Sequence, residues 1–311
     1  MEFFAPGKLM ISGEYVVLDG ALSLAIPTAG YGQHLKIDLH TENRHRWISK
    51  DVDGEWFSAV FSLDLKRVIH TSDRQTAQVL LKILQFIKGQ NSGLFELPLS
   101  FISKLDFNRH WGWGSSSTLI ANLAQWSNID AYQLLAHSFG GSGYDLAVAL
   151  AQQPILYQLQ DQLPENMPEF SYLNKFPVWE KVFFNPVFKD DLSLIYLNQK
   201  QNSREEIKKY RQQEISKKII DEISEISKNI LNTSDLSGFE QLLNRHETLL
   251  SQTLNRPTVK EHLFADYPGS IKSLGAWGGD FVLATGTTAP EYFARKGYQN
   301  ILPLKQILPK S

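Results

Sequence analysis

The chain has 311 residues, enough for two domains, and its 42% hydrophobic and 21% charged residues exclude a disordered chain or a coiled-coil rod. Lys+Arg 31 against Asp+Glu 33 leaves a net charge of −2, without the basic surplus that duplex nucleic acid or an anionic membrane calls for. Cysteine is absent, which excludes disulfides, thiolate metal sites and cysteine nucleophiles together.

The opening Met-Glu-Phe-Phe-Ala-Pro-Gly-Lys has neither the basic start nor the apolar run of a secretory signal. No stretch approaches the roughly 20 apolar residues of a membrane span. The expectation is a soluble, cytoplasmic protein, monomer or homodimer, with a small-molecule partner rather than nucleic acid or membrane.

In chain order, Lys8 opens a strand-like run that Gly13-Glu14 breaks. Next, Trp111-Gly-Trp-Gly-Ser-Ser-Ser-Thr118 leads into a helical pattern over Leu119–Trp126. Small residues that stop where a helix begins can turn consecutive N–H groups into one cavity, aided by the helix dipole. The segment is neither a Walker A loop, since no Gly-Lys-Ser/Thr follows, nor a Rossmann fingerprint, since Ser117 stands where the last glycine belongs. Its plain reading is a serine-capped helix.

Phe139-Gly-Gly-Ser-Gly-Tyr-Asp145 follows, and Ser142 and Asp145 fit the spacing of a capping box. A carboxylate in a first helical turn is favoured in its ionised form by the dipole, which is also what a proton acceptor requires. Asp145 is therefore expected both to cap and to catalyse.

Four prolines, Pro164, Pro168, Pro177 and Pro186, mark irregular connections, and the boundary between an N-terminal domain (1–165) and a C-terminal domain (166–311) is placed among them. Asp191–Leu197 reads as a buried strand. Ile207, Ile215, Ile219, Ile223, Ile226 and Ile230 draw one apolar stripe on a long helix, with Ser203 and Glu206 as its capping box. A second helix spans Leu236–Leu254, with His246 on its apolar face as a core residue. Leu274-Gly-Ala-Trp-Gly-Gly-Asp-Phe281 runs a glycine cluster into a strand over Asp280–Thr285, the sign of a backbone passing close to a ligand or to another strand. A helix near Pro290–Lys296 and a strand near Ile301–Ile307 complete an α+β pattern of sheet backed by helices.

Taken together, Pro6-Gly-Lys-Leu-Met-Ile-Ser-Gly-Glu14-Tyr15, Gly112-Trp-Gly-Ser-Ser-Ser117 and Gly275-Ala-Trp-Gly-Gly279 resemble, in order and spacing, the three motifs of the GHMP kinase superfamily. The likeness covers nearly the whole chain and is nearest the mevalonate and phosphomevalonate kinase branch. Ser142-Gly-Tyr-Asp-Leu-Ala-Val is closer to the first kind and Gly13-Glu-Tyr15 to the second, so the acceptor stays open.

The resemblance implies an N-terminal domain like the second domain of ribosomal protein S5, a ferredoxin-like C-terminal domain, and ATP between them. It implies nucleotide binding by Gly112, Trp113, Gly114, Ser115, Ser116 and Ser117, with Ser116 also on Mg²⁺. Asp145 and Lys8 would be the catalytic pair, and Glu14, Tyr15, Ser142, Gly143, Ser203 and Gly278 would border the acceptor.

Three features depart from the family. Trp111 and Trp113 replace small or aliphatic residues. Trp277 interrupts the third motif, where it would narrow the cleft or stack on a neighbour, and Asp280 follows it. The glutamate that helps hold Mg²⁺ in mevalonate kinases has no counterpart in Tyr132-Gln-Leu-Leu-Ala-His137. The reading is an alcohol-phosphorylating kinase, with mevalonate first and phosphomevalonate second. A nucleotide-binding regulatory protein without catalysis is the alternative of another class, and a decarboxylase of the same fold is a lesser one. Ser142 is no nucleophile elbow, since Tyr144 stands where a glycine is needed.

Overall fold

The computed structural model describes residues 1–161, 175–199 and 203–309, with the side chains of 203 and 204 left aside. The domain boundary expected between 165 and 166 lies outside the described residues.

The N-terminal half builds one mixed sheet. Its strands are β1 (Glu2–Ser12), β2 (Ser23–Leu39), β3 (Arg44–Asp51), β4 (Gly54–Ser62), β5 (Val68–Thr71), β6 (Leu99–Leu105), β7 (Ile155–Gln160) and β8 (Phe176–Lys181). The order is β5-β4-β3-β6-β2-β7-β8, with β1 lying against β2. All pairs are antiparallel except β3 with β6. Strand β8 lies past residue 166 in sequence yet pairs with β7 of this sheet.

Helices α1 (Arg74–Gln90), α2 (Ser115–Ser127), α3 (Ala131–Ala136) and α4 (Tyr144–Ala151) cover the sheet. One core cluster joins Leu80, Ile83, Leu84 and Ile87 of α1 to Trp47, Phe57, Phe61 and Phe101 of the strands. The spacing of those α1 residues is the stripe of a helix lying on a sheet.

The C-terminal half contains α5 (Ser203–Tyr210), α6 (Lys217–Asn232), α7 (Leu236–Leu254), α8 (Val259–Leu263) and α9 (Ala289–Arg295). Its sheet holds β9 (Leu192–Tyr196), β10 (Ile271–Leu274), β11 (Phe281–Thr285) and β12 (Ile301–Pro303). The order β10-β11-β9-β12 is antiparallel throughout, with helices after β9 and after β11, as in a ferredoxin-like unit. The α+β fold class expected from the sequence is the one observed.

The two sheets share a core: Leu9, Ile11, Phe107 and Trp113 from one half belong to the same buried cluster as Leu194, Leu243, Phe281 and Leu283 from the other.

Two local expectations are corrected. The isoleucine stripe is broken: Ile207 lies on α5, Ile219, Ile223, Ile226 and Ile230 on α6, and Ile215 between them, where buried Tyr210 at the end of α5 donates its hydroxyl proton to Asp19 of the N-terminal half. The Ser203–Glu206 capping box falls outside the described residues; the Glu206 carboxylate accepts from Lys209 Nζ at 2.8 Å and Arg256 Nη1 at 2.6 Å. The last strand ends at Pro303, where a 3-10 turn over Leu304–Gln306 follows.

Candidate functional site

Lys8 owes its position to an irregularity in β1. The register shifts between Pro6 and Gly7, and a side chain at Gly7 would come within 2.6 Å of Thr28 Oγ1 and 2.9 Å of the Trp113 carbonyl. With no side chain there, the glycine-rich loop docks, and the Lys8 N–H donates to Trp113 O at 3.1 Å. The lysine side chain then passes beside Gly114, where a Cβ would lie 3.1 Å from its Cγ.

Helices α2 and α4 pack against β1 and against each other. Each starts after a left-handed glycine, Gly114 at φ 81° and Gly143 at φ 80°, and neither has a side-chain cap. The expected serine cap and the Ser142–Asp145 capping box are therefore not formed. Each helix begins after a glycine, which has no side chain to offer, and Asp145 is the second residue of α4. The first-turn N–H groups of both helices have no intrahelical acceptor and carry the positive end of the dipole.

Lys8 Nζ lies 3.3 Å from Asp145 Oδ1 and donates a hydrogen bond to Tyr144 Oη at 2.7 Å. Both residues border a cavity of about 210 Å³. Gly112, Ser116, Ser117, Ser142 and Gly143 line it, as do Glu14 and Tyr15. Gly275, Ala276 and Asp280 face them from the second sheet, and Met10, Val17, Leu18, Leu135 and Ile207 supply apolar wall.

Other expected residues are engaged elsewhere. The Trp113 ring is buried among Tyr31, Phe107, Trp111 and Phe281, so this residue meets the loop only through its backbone. Gly278 does not line the cavity. Ser203 opens α5, and its side chain lies outside the described residues. The Glu14 carboxylate accepts from Lys272 Nζ at 2.7 Å, and burial, partly offset by that ammonium, raises its pKa. Tyr15 Oη accepts the Trp277 N–H at 2.7 Å, and burial pushes its pKa up to about 12. Trp277 does not narrow the cleft: its ring is buried and its indole N–H donates to Pro257 O at 3.1 Å. His246 is a core residue, and its Nε2 accepts the Gly13 N–H at 2.9 Å. Burial holds it neutral by lowering its pKa well below the usual value.

Two features escape the sequence reading. Asp280 is buried in a left-handed conformation at φ 49°, and its carboxylate fills the space a side chain on Gly112 would need. The only sign was a charged residue closing a glycine cluster. The second is a cavity of about 300 Å³ beyond Ser115 and Ser116, walled by Trp47, Trp56, Phe57 and Leu119, with Gln75 and Thr76 at its rim. Alternation along β3 and β4 marks those aromatics as buried and says nothing of a cavity.

No protein-family model and no curated protein matches the sequence. Solved structures match nearly end to end. The chain is similar to Streptococcus pneumoniae phosphomevalonate kinase in complex with phosphomevalonate and AMPPNP, at 17% identity and TM-score 0.69, covering 97% of this chain and 99% of that one. It is similar to Methanococcus jannaschii mevalonate kinase at 15% identity and TM-score 0.65, covering 97% and 98%. Lactococcus lactis galactokinase complexed with galactose matches at 13% identity and TM-score 0.57, covering 95% and 87%. The fold of this chain is that of the GHMP kinases.

Proposed function

We propose that the chain transfers the γ-phosphoryl group of ATP to an oxygen of a small metabolite, with the hydroxyl of mevalonate as the first acceptor and the phosphate of phosphomevalonate as the second. The observation that carries this reading is the Lys8–Asp145 pair, 3.3 Å apart at the uncapped starts of α2 and α4. An amide nest for phosphates and a carboxylate–ammonium couple for an alcohol are the two halves of a phosphoryl-transfer site.

In this reading the base stacks among Trp47, Trp56 and Phe57 in the second cavity, and the phosphates pass Ser115 and Ser116 toward Gly112. The acceptor oxygen forms its bond to the γ-phosphorus as the bond from that phosphorus to the bridging oxygen breaks, and ADP leaves. Asp145 orients the hydroxyl and takes its proton late, since a carboxylate is too weak a base to ionise an alcohol beforehand. Lys8 offsets the charge growing on the transferred oxygens.

Magnesium suits this donor set. It binds nucleotides mainly through phosphate oxygens with one or two protein oxygens, here the Ser116 hydroxyl, and no cluster of three His, Cys, Asp or Glu occurs among the described residues. Bound there, it would neutralise charge on the β- and γ-phosphates. In this reading the chain divides at residues 165 and 166, with β8 crossing back to complete the first sheet.

The test is a coupled ADP-release assay with mevalonate, phosphomevalonate, galactose and homoserine. Release with mevalonate or phosphomevalonate supports the proposal. Nucleotide binding by thermal shift without release from any of the four would instead assign a non-catalytic nucleotide-binding protein.

A further inference from the structure

Lys8 reaches Asp145 only at ion-pair distance. Its short contact, 2.7 Å, is to the hydroxyl of the preceding residue, Tyr144. Asp145 Oδ1 is buried and accepts no hydrogen bond among the described residues. We propose that Tyr144 is a positioning residue for Lys8, holding the ammonium beside Asp145 while the carboxylate, its side chain 29% exposed, still faces the cavity where the acceptor would lie; this rests on the kinase reading above.

The geometry has a physical logic. Tyr144 and Asp145 are the first two residues of α4, so one helical turn grips the ammonium from two sides. The phenol ring packs into the cluster formed by Met10, Val17, Val148 and Tyr157, which fixes where its oxygen stands. Burial, followed by the charge of Asp145 and a side-chain hydrogen bond with that carboxylate, raises the phenol pKa well above its usual value, so the group stays neutral. A neutral oxygen accepts from the ammonium without cancelling its charge. A direct hydrogen-bonded salt bridge would occupy both Lys8 and Asp145 with each other. The tyrosine thus orders the lysine and leaves its charge available to phosphate.

Tyr144→Phe removes one oxygen and keeps the ring. Expected is a kcat about 10-fold lower, the scale of one hydrogen bond to a charged group, with KM for nucleotide and acceptor unchanged within about twofold. Lys8→Met costs more, and adding Tyr144→Phe to it costs nothing further, because residues acting through one group are not additive. Wild-type kcat in Tyr144→Phe, or losses that multiply in the double variant, overturns the proposal. A second readout needs no turnover: the acylation rate of Lys8 by a neutral acylating reagent, followed by peptide mass spectrometry on the full chain. Tyr144→Phe should raise that rate severalfold, and an unchanged rate overturns the link. If the wild type releases ADP from no acceptor, the kinase reading fails while the acylation result still decides the Tyr144–Lys8 contact.

Discussion

At Asp145 one carboxylate stands in a first helical turn, beside an ammonium, and makes no cap. Removing its charge should therefore act on turnover. Asp145→Asn is expected to lower kcat by about 10²–10⁴-fold, the usual range for a general base, and, since it caps no helix, to leave the protein folded; turnover and a thermal melt on one preparation separate the two. Another buried carboxylate titrates in a useful range. Burial, partly offset by Lys272, raises Glu247 from 4.5 to about 7. Between those pH values the folded protein keeps a proton that the unfolded chain has lost. The stability this contributes is complete below about pH 4.5 and is gone as pH rises through about 7. Glu247→Gln, always neutral, should match wild type at low pH and exceed it above pH 7 by up to about 3 kcal/mol, from roughly 1.36 kcal/mol per unit. Urea melts at pH 5 and pH 8 check this, and a variant less stable at pH 8 would contradict it. Lys8 and Asp145 were legible as a pair through their motifs, whereas Tyr144 was not, because the hydroxyl of a tyrosine in a first turn is equally at home in solvent.

Among the elements, the glycine-rich loop between β6 and α2 is held from three sides: by Lys8 through the Trp113 carbonyl, by the ring cluster around Trp113, and by Asp280 across Gly112. Gly112 at φ 71° is in the left-handed region, and a Cβ there would overlap the Asp280 carboxylate. Gly112→Ala is expected to cost about 1–2 kcal/mol in backbone strain and to abolish the thermal shift given by nucleotide. A retained shift would detach this loop from the phosphates. Trp113→Ala should cost about 3–5 kcal/mol as a core truncation, read by denaturant unfolding. The apolar stripe predicted that residues 207–230 are helical, and its eight-residue gap between Ile207 and Ile215 was the only trace of the break. At the break stands Tyr210, whose partner Asp19 lies 191 residues away.

For the molecule as a whole, the turn at Gly13–Tyr15 clasps the second half by three bonds: Gly13 N–H to His246, Glu14 to Lys272, and Tyr15 to the Trp277 N–H. With the shared core, this argues that the halves unfold together. Far-UV circular dichroism and tryptophan fluorescence should give one coincident urea transition; two separated transitions would show that the clasp does not couple them. Lys272→Met leaves Glu14 buried and uncompensated, and the expected cost is about 3–5 kcal/mol.

The identities and spacing of Lys8, Ser116 and Asp145, and the periodicities of the helices and strands, were already decided by local chemistry. Backbone preferences, apolar repeats and glycine clusters act over a few residues and can be read in one dimension. Glu14 and Tyr15 turning to the opposite half, Trp113 and Trp277 filling core, Asp280 facing Gly112, and aromatic strands walling a cavity depend on segments far apart in sequence. Only packing decides them, because burial and hydrogen-bond partners are properties of the assembled halves, and no single segment carries them.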